Sequence, residues 1–191
     1  MKNWTNTWLL PDTHLNHKML SNRGFRPEDF EQRILRNLSK MVKPPDTLIH
    51  LGDVCIGKEQ ESHETLHHFA QCKTKVLIRG NHDKKSDTWY QEHGWDLVVK
   101  ELWIQKFGYD ILVTHEPVDF TLRGVDGYKP WPSLINLHGH THGNNHHSVD
   151  VGHYYDGEYH RELALEHNDY KPFLLTDKLL ASVVQRERHP V

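Results

Sequence analysis

The sequence predicts an α/β fold on three observations. Short runs rich in Leu, Ile and Val recur along the chain, each stops at a polar cluster, and helical periodicity fills several of the intervals between them. Buried strands of largely parallel sheets read as continuous apolar runs, whereas amphipathic helices repeat their apolar residues every three or four positions. The elements follow in order. Trp8 to Leu10 is the first strand, and Pro27 to about Val42 the clearest helix, with Phe30, Ile34, Leu35, Leu38 and Met41 on one face. Pro27 suits a first helical position, and Glu28 and Asp29 suit the positive end of the helix dipole. Thr47 to Leu51 and Lys75 to Ile78 are strands, separated by a shorter helix over Glu59 to Gln71. Asp87 to His93 is helical, with Ser86 as its N-cap and Gly94 as its stop. Asp110 to Thr114 and Leu134 to His138 are strong strands; Leu97 to Val99, Leu102 to Gln105 and Ser148 to Val151 are weaker ones. Thr176 caps a final helix running to about Arg186. The lack of long crossovers over Leu97 to Thr114 and Leu134 to Val151 predicts an antiparallel portion there.

The 191 residues suit a single domain spanning 1–191, because no repeat, low-complexity tract or Pro/Gly/Ser linker divides them. A mean hydropathy of -0.75 and the absence of any apolar run near the ~20 residues of a membrane span exclude a transmembrane helix. The N-terminal residues lack a signal-peptide core, so the expected location is cytoplasmic. Cys55 and Cys72 are spaced as neither a redox pair nor a zinc knuckle, and buried reduced thiols are expected. A net charge of -3 gives no footprint for gripping long nucleic acid. Against this ordinary background stand 18 histidines, which raise the prior for a metal site although scattered surface histidines are the plainer account of most of them.

Each of the five strong strands is followed by residues of metal-ligand type: Asp12-Thr13-His14, Gly52-Asp53, Gly80-Asn81-His82-Asp83, Thr114-His115, and Gly139-His140-Thr141-His142. Any one cluster reads equally as a turn or a cap. Five clusters at five strand ends do not, since ligands of open α/β sheets bind beyond the carboxyl ends of the strands.

The order D-x-H, GD, GNH followed by D or E, a lone H, and GHxH resembles the signature of the calcineurin-like metallophosphoesterase superfamily, in a compact form similar to prokaryotic and phage members. The resemblance runs from Asp12 to His142 and implies a four-layer α-β-β-α sandwich of two mixed sheets with a two-metal centre at one edge. By position, Asp12, His14, Asp53 and His142 would hold one ion, and Asp53, Asn81, His115 and His140 the second. A bridging carboxylate at Asp53 suits two divalent ions about 3.5–4 Å apart, whose mutual repulsion it offsets. The implied cofactor is a pair of divalent transition-metal ions, manganese by resemblance, with Fe, Zn, Co or Ni compatible with the same donors. The implied chemistry is in-line attack on phosphorus by a metal-bridging hydroxide, with His82 over the substrate phosphate as hydrogen-bond or proton donor. Asp83 either holds His82 protonated or caps the following turn.

Substrate contacts are expected from Asn81 and His82, and from His17, Arg23 and Arg26 around the first loop; Arg79 is a further cation of the same kind. His146, His147, His153 and His160, with Tyr154, Tyr155, Tyr159 and Trp131, form either a rim that stacks on a nucleobase or an ordinary solvated hairpin. The expected substrate is a small nucleotide-like or cyclic-nucleotide phosphodiester. The alternatives are a phosphomonoesterase acting on nucleotide monophosphates or phosphorylated residues, and a non-catalytic scaffold. Oligomeric state is not encoded in any pattern of this sequence.

Overall fold

The computed structural model describes residues 5–118, 120, 133–142 and 159–184. Among the described residues, nine strands form two sheets. The first contains β1 (Thr7–Leu10), β2 (Thr47–His50), β3 (Thr74–Ile78), β4 (Leu97–Val99) and β9 (Phe173–Leu174), in the order β4-β3-β2-β1-β9. β1 to β4 are parallel, and β9 closes the β1 edge antiparallel. The second sheet contains β5 (Glu101–Lys106), β6 (Tyr109–Thr114), β7 (Leu134–His138) and β8 (His160–Glu162), in that order. There the β5/β6 hairpin is antiparallel, while β6, β7 and β8 run parallel. The antiparallel expectation therefore holds for Leu102 to Thr114 and is corrected for Leu97 to Val99, which as β4 joins the first sheet parallel to β3, and for β7, which pairs parallel on both sides. Its Ser148 to Val151 part lies outside the described residues.

Side-chain alternation along the strands builds two cores. Trp8, Leu10, Leu48 and Leu77 face a helical layer, where they meet Phe30, Ile34 and Leu38 of α2 (Phe30–Met41), Leu66 of α3 (Glu59–Phe69) and Tyr90 of α4 (Asp87–Glu92). Leu9, Ile49, Val76 and Ile78 face the other way, onto Ile111, Val113, Ile135 and Leu137 of the second sheet. Because both faces of the first sheet are buried, its strands are almost wholly apolar, which is why they read as runs. The outer face of the second sheet carries Leu112 and Leu134 against Phe120.

Helix ends largely follow the local chemistry expected of them. Ser86 Oγ accepts the Trp89 amide at 3.1 Å, and Thr176 Oγ1 accepts that of Leu179 at 3.2 Å at the head of α5 (Asp177–Val184). α2 starts at Phe30 rather than Pro27. Asp29 makes no side-chain cap bond there and pairs with Arg33 at 2.8 Å instead. Cys55 is buried, Cys72 is partly buried, and both are free thiols. Short elements with no sequence signal are α1 (Lys18–Asn22), β8, β9 and a 3-10 turn over Leu165–Asn168. No helix among the described residues is long and apolar enough to cross a membrane.

Candidate metal centre

The parallel register sets Leu10 beside His50 and His50 beside Leu77, so the loops after β1, β2 and β3 leave one edge of the first sheet together. The loops after β6 and β7 meet them from the second sheet. Two cross-links draw the first set tight. His14 N–H donates to Asp53 O at 3.0 Å, and Asp12 N–H donates to Gly52 O at 3.2 Å. Gly52, at φ 95°, lies so close to the next loop that a Cβ would sit 2.5 Å from the Gly80 nitrogen.

The side chains expected as metal ligands converge in two groups. Ligand atoms of Asp12, His14 and His142 lie within 4.8 Å of one another, and so do those of Asp53, His115 and His140. His14 Nε2 is 3.0 Å from His142 Nε2. Across the site, His115 Nε2 is 2.9 Å from Asn81 Oδ1 and 3.0 Å from His140 Nδ1. Asp53 Oδ2 also approaches the first group, being 3.6 Å from His14 Nε2 as well as 3.5 Å from His115 Nε2.

Five of these residues are held in the left-handed region: Asp12 at φ 43°, His14 at 45°, Asp53 at 55°, His140 at 73° and His142 at 54°. Each such position costs about 1–3 kcal/mol in a non-glycine residue and persists only where surrounding contacts over-determine it. The contacts that do so are on the same loops. Asp12 Oδ2 accepts the His140 amide at 2.9 Å, and Asp53 Oδ1 accepts that of His82 at 2.8 Å.

The donor set of carboxylate oxygens, imidazole nitrogens and an amide oxygen suits first-row divalent ions. Asp12 Oδ1 strengthens the fit, being buried with no hydrogen-bond partner, a condition a nearby cation relieves. Burial pushes the Asp12 carboxyl up to about 6, with Asp53 adding to the rise and His142 and His115 opposing it. Burial also drives His14 far below the usual imidazole range, helped by His142 and Arg26, and it lowers His140, an effect to which neighbouring His115 adds. Neutral imidazoles with free lone pairs are the ligating form. For His115 the tautomer is set by its surroundings: Nδ1–H donates to Leu51 O at 2.8 Å, leaving the Nε2 lone pair facing Asn81 and Asp53.

His82 stands apart from these groups. Its side chain is 43% exposed, with Nε2 3.9 Å from Asp53 Oδ2, at the mouth of the site rather than within it. Asp83 does not hold it. Its carboxylate instead accepts the amides of Asp53 at 2.9 Å, Val54 at 3.2 Å and Gly80 at 2.8 Å, riveting the second loop to the third. Adjacent side chains diverge along the backbone, and the three amides offer Asp83 far better partners.

The first-loop residues divide. The half-buried His17 ring lies 5.2 Å from His14 with Nδ1 buried and without a partner, and burial lowers its basicity. Arg23 is exposed at the end of α1. Arg26 does not sit on an open loop. It is 2% exposed, stacked over Phe30 and Tyr170, and its guanidinium serves Glu166, the Thr13 carbonyl and His142. Arg79 is likewise engaged, with Asp87 and the Asp83 carbonyl at 2.9 Å each. Of the anticipated rim, Tyr159 and His160 pack against Phe120 on the second sheet, with ring centroids 6.5 and 5.2 Å away. Trp131, His146, His147, His153, Tyr154 and Tyr155 lie outside the described residues.

Two contributors carried no sequence signal. His50 is fully buried under the first loop, where Nδ1 accepts the Gly52 amide at 3.1 Å and Nε2–H therefore donates to Thr13 Oγ1 at 2.9 Å. Glu166 reaches His142 Nδ1 at 3.0 Å from the turn after β8. Neither belongs to a motif; only the three-dimensional packing brings them to the site.

Residues 7–164 match the calcineurin-like phosphoesterase superfamily domain, and the chain belongs to that superfamily. It is a metal-dependent phosphoester hydrolase. The uncharacterized protein MJ1445 of Methanocaldococcus jannaschii is 27% identical over 144 residues, which is 72% of this chain and 70% of that protein. The crystal structure of AQ665 from Aquifex aeolicus, a protein of unknown function, is 26% identical with a TM-score of 0.63, over 90% of this chain and 96% of that one. The nuclease MPE of Pseudomonas putida is 22% identical with a TM-score of 0.44, over 71% of this chain and 60% of its own.

Proposed function

We propose that the chain is one cytoplasmic domain that hydrolyses small nucleotide-like phosphodiesters with two divalent ions, manganese by preference. Asp12, His14, Asp53 and His142 hold one ion, and Asp53, Asn81, His115 and His140 the other. One observation carries the reading: a single oxygen, Asp53 Oδ2, lies 3.6 and 3.5 Å from the facing nitrogens of the two histidine groups. Bound ions would acidify a water and draw charge from the phosphoryl oxygens.

The chain's own residues supply the rest. The left-handed loops present the ligands before substrate arrives, so no reorganisation is required at the moment of reaction. Solvent-exposed His82 meets the departing oxygen and gives it a hydrogen bond or a proton, an effect worth about 10²- to 10⁴-fold in rate. His17 borders the same mouth, beside His14.

Preference for a diester over a monoester follows from the cations. A terminal phosphate carries a second charge, yet Arg26 and Arg79 are both occupied by protein partners among the described residues, and Arg23 is exposed at the end of α1. Manganese-loaded protein assayed side by side on a chromogenic diester and its monoester, with Asp53→Ala as control, decides. Diester turnover that vanishes in the control is expected. Monoester preference would replace this reading with a phosphatase, and absence of metal-dependent turnover on both would favour the scaffold.

A further inference from the structure

We infer that Glu166, charge-matched by Arg26, is a positioning residue that fixes the tautomer and orientation of His142 so that its Nε2 lone pair faces Asp12 and His14. The inference rests on reading His142 as a metal ligand, and it lies just beyond the family match, which ends at residue 164.

The geometry is a closed triad. Glu166 Oε1 is 3.0 Å from His142 Nδ1 and 2.7 Å from both Nε and Nη2 of Arg26. Arg26 Nη2 is also 2.9 Å from His142 Nδ1. Two proton arrangements fit these distances. Either Nδ1–H donates to the carboxylate, or bare Nδ1 accepts from the guanidinium and the proton sits on Nε2, facing the site. Nη2 has a second N–H with which it can serve Nδ1, but the carboxylate is acceptor-only and in that arrangement would face the Nδ1 lone pair, a repulsion that the Nδ1–H arrangement removes. A charge-assisted bond from Nδ1–H to Glu166 therefore prevails. That arrangement turns a lone pair toward His14 Nε2 at 3.0 Å and the partnerless Asp12 Oδ1 at 3.9 Å. Arg26 offsets the buried carboxylate's charge and is itself clamped over Phe30 and Tyr170. Removing only Glu166 leaves the guanidinium as Nδ1's partner, which selects the wrong tautomer.

Manganese binding by the full chain, followed by calorimetric titration, separates the possibilities across wild type, His142→Ala, Glu166→Gln and Glu166→Asp. His142→Ala should lose one of two ions. Glu166→Gln should weaken that same ion by about 10- to 100-fold and leave the other unchanged, with partial recovery in Glu166→Asp. Two ions bound normally by His142→Ala would remove the ligand reading itself. If His142→Ala loses an ion but Glu166→Gln binds both as wild type does, or weakens both equally, the positioning role is overturned while the ligand reading stands. Nitrogen-15 NMR of the zinc-loaded wild-type chain decides even if Glu166→Gln fails to fold. A His142 Nδ1 proton protected from exchange supports the inference, and an Nδ1 that carries no proton or exchanges like an exposed imidazole refutes it.

Discussion

Replacing Gly80 with alanine should disable the site through one methyl group. Gly80 is not in the left-handed region, so alanine is conformationally acceptable there and would ordinarily stabilise by about 0.4–1 kcal/mol. The space is what forbids it. The added Cβ would fall on Asp53 Oδ1 and lie 2.6 Å from the Asp53 backbone nitrogen, against an ordinary contact of 3.4 Å. Restoring contact moves the two loops apart by about 0.8 Å, the difference between those distances. The Asp83 carboxylate spans that gap, bonding the amides of Gly80 at 2.8 Å and Asp53 at 2.9 Å, so the separation strains both bonds. Overpacking of this kind costs about 1–3 kcal/mol, and misplacing a catalytic group by about 1 Å costs on the order of 10²-fold in rate. The assay is manganese-dependent hydrolysis of a chromogenic diester, alongside thermal melting and metal content. A folded Gly80→Ala protein with two bound ions and a wild-type rate would refute the placement of Asp53 at the centre of the site.

His82→Ala should retain both ions by elemental analysis yet lose about 10²- to 10⁴-fold in rate on diesters with poor leaving groups, and much less on good ones; loss of metal would move His82 into the ligand set. Buried His63, which accepts the Trp95 indole N–H at 2.8 Å, is pushed down to about 3, chiefly by burial with His67 and His93 contributing. Its folded-state value is depressed, so its contribution is complete above the unfolded value near 6.5 and is lost as pH falls toward 3. At pH 5 the loss is about 2 kcal/mol. Urea unfolding of chelator-treated protein from pH 7 to 5 checks this, and a His63→Asn protein with an equally steep decline would exclude His63 as the source.

The strands and ligand loops were legible because burial on both faces forces continuous apolar runs, and a run that ends in Gly-Asp or Gly-Asn-His announces itself. β8 and β9 were not, since three-residue and two-residue edge strands take their conformation from the neighbour they pair with, not from their own composition. Arg26 reads in sequence like any loop arginine. Its burial depends on Glu166, 140 positions away, and on a slot between Phe30 and Tyr170.

The sequence by itself determined the α/β class, five strand-end clusters, the ligand residue types and the superfamily, because each is written in local patterns of hydrophobicity and chemistry. Only the tertiary structure decided which way those side chains face. It sent Asp83 to three backbone amides rather than to His82, turned Arg26 inward, and set Glu166 behind His142. The physical reason is the same in each case: a buried polar group takes whichever partner the packing brings within about 3 Å, and that partner is usually remote along the chain.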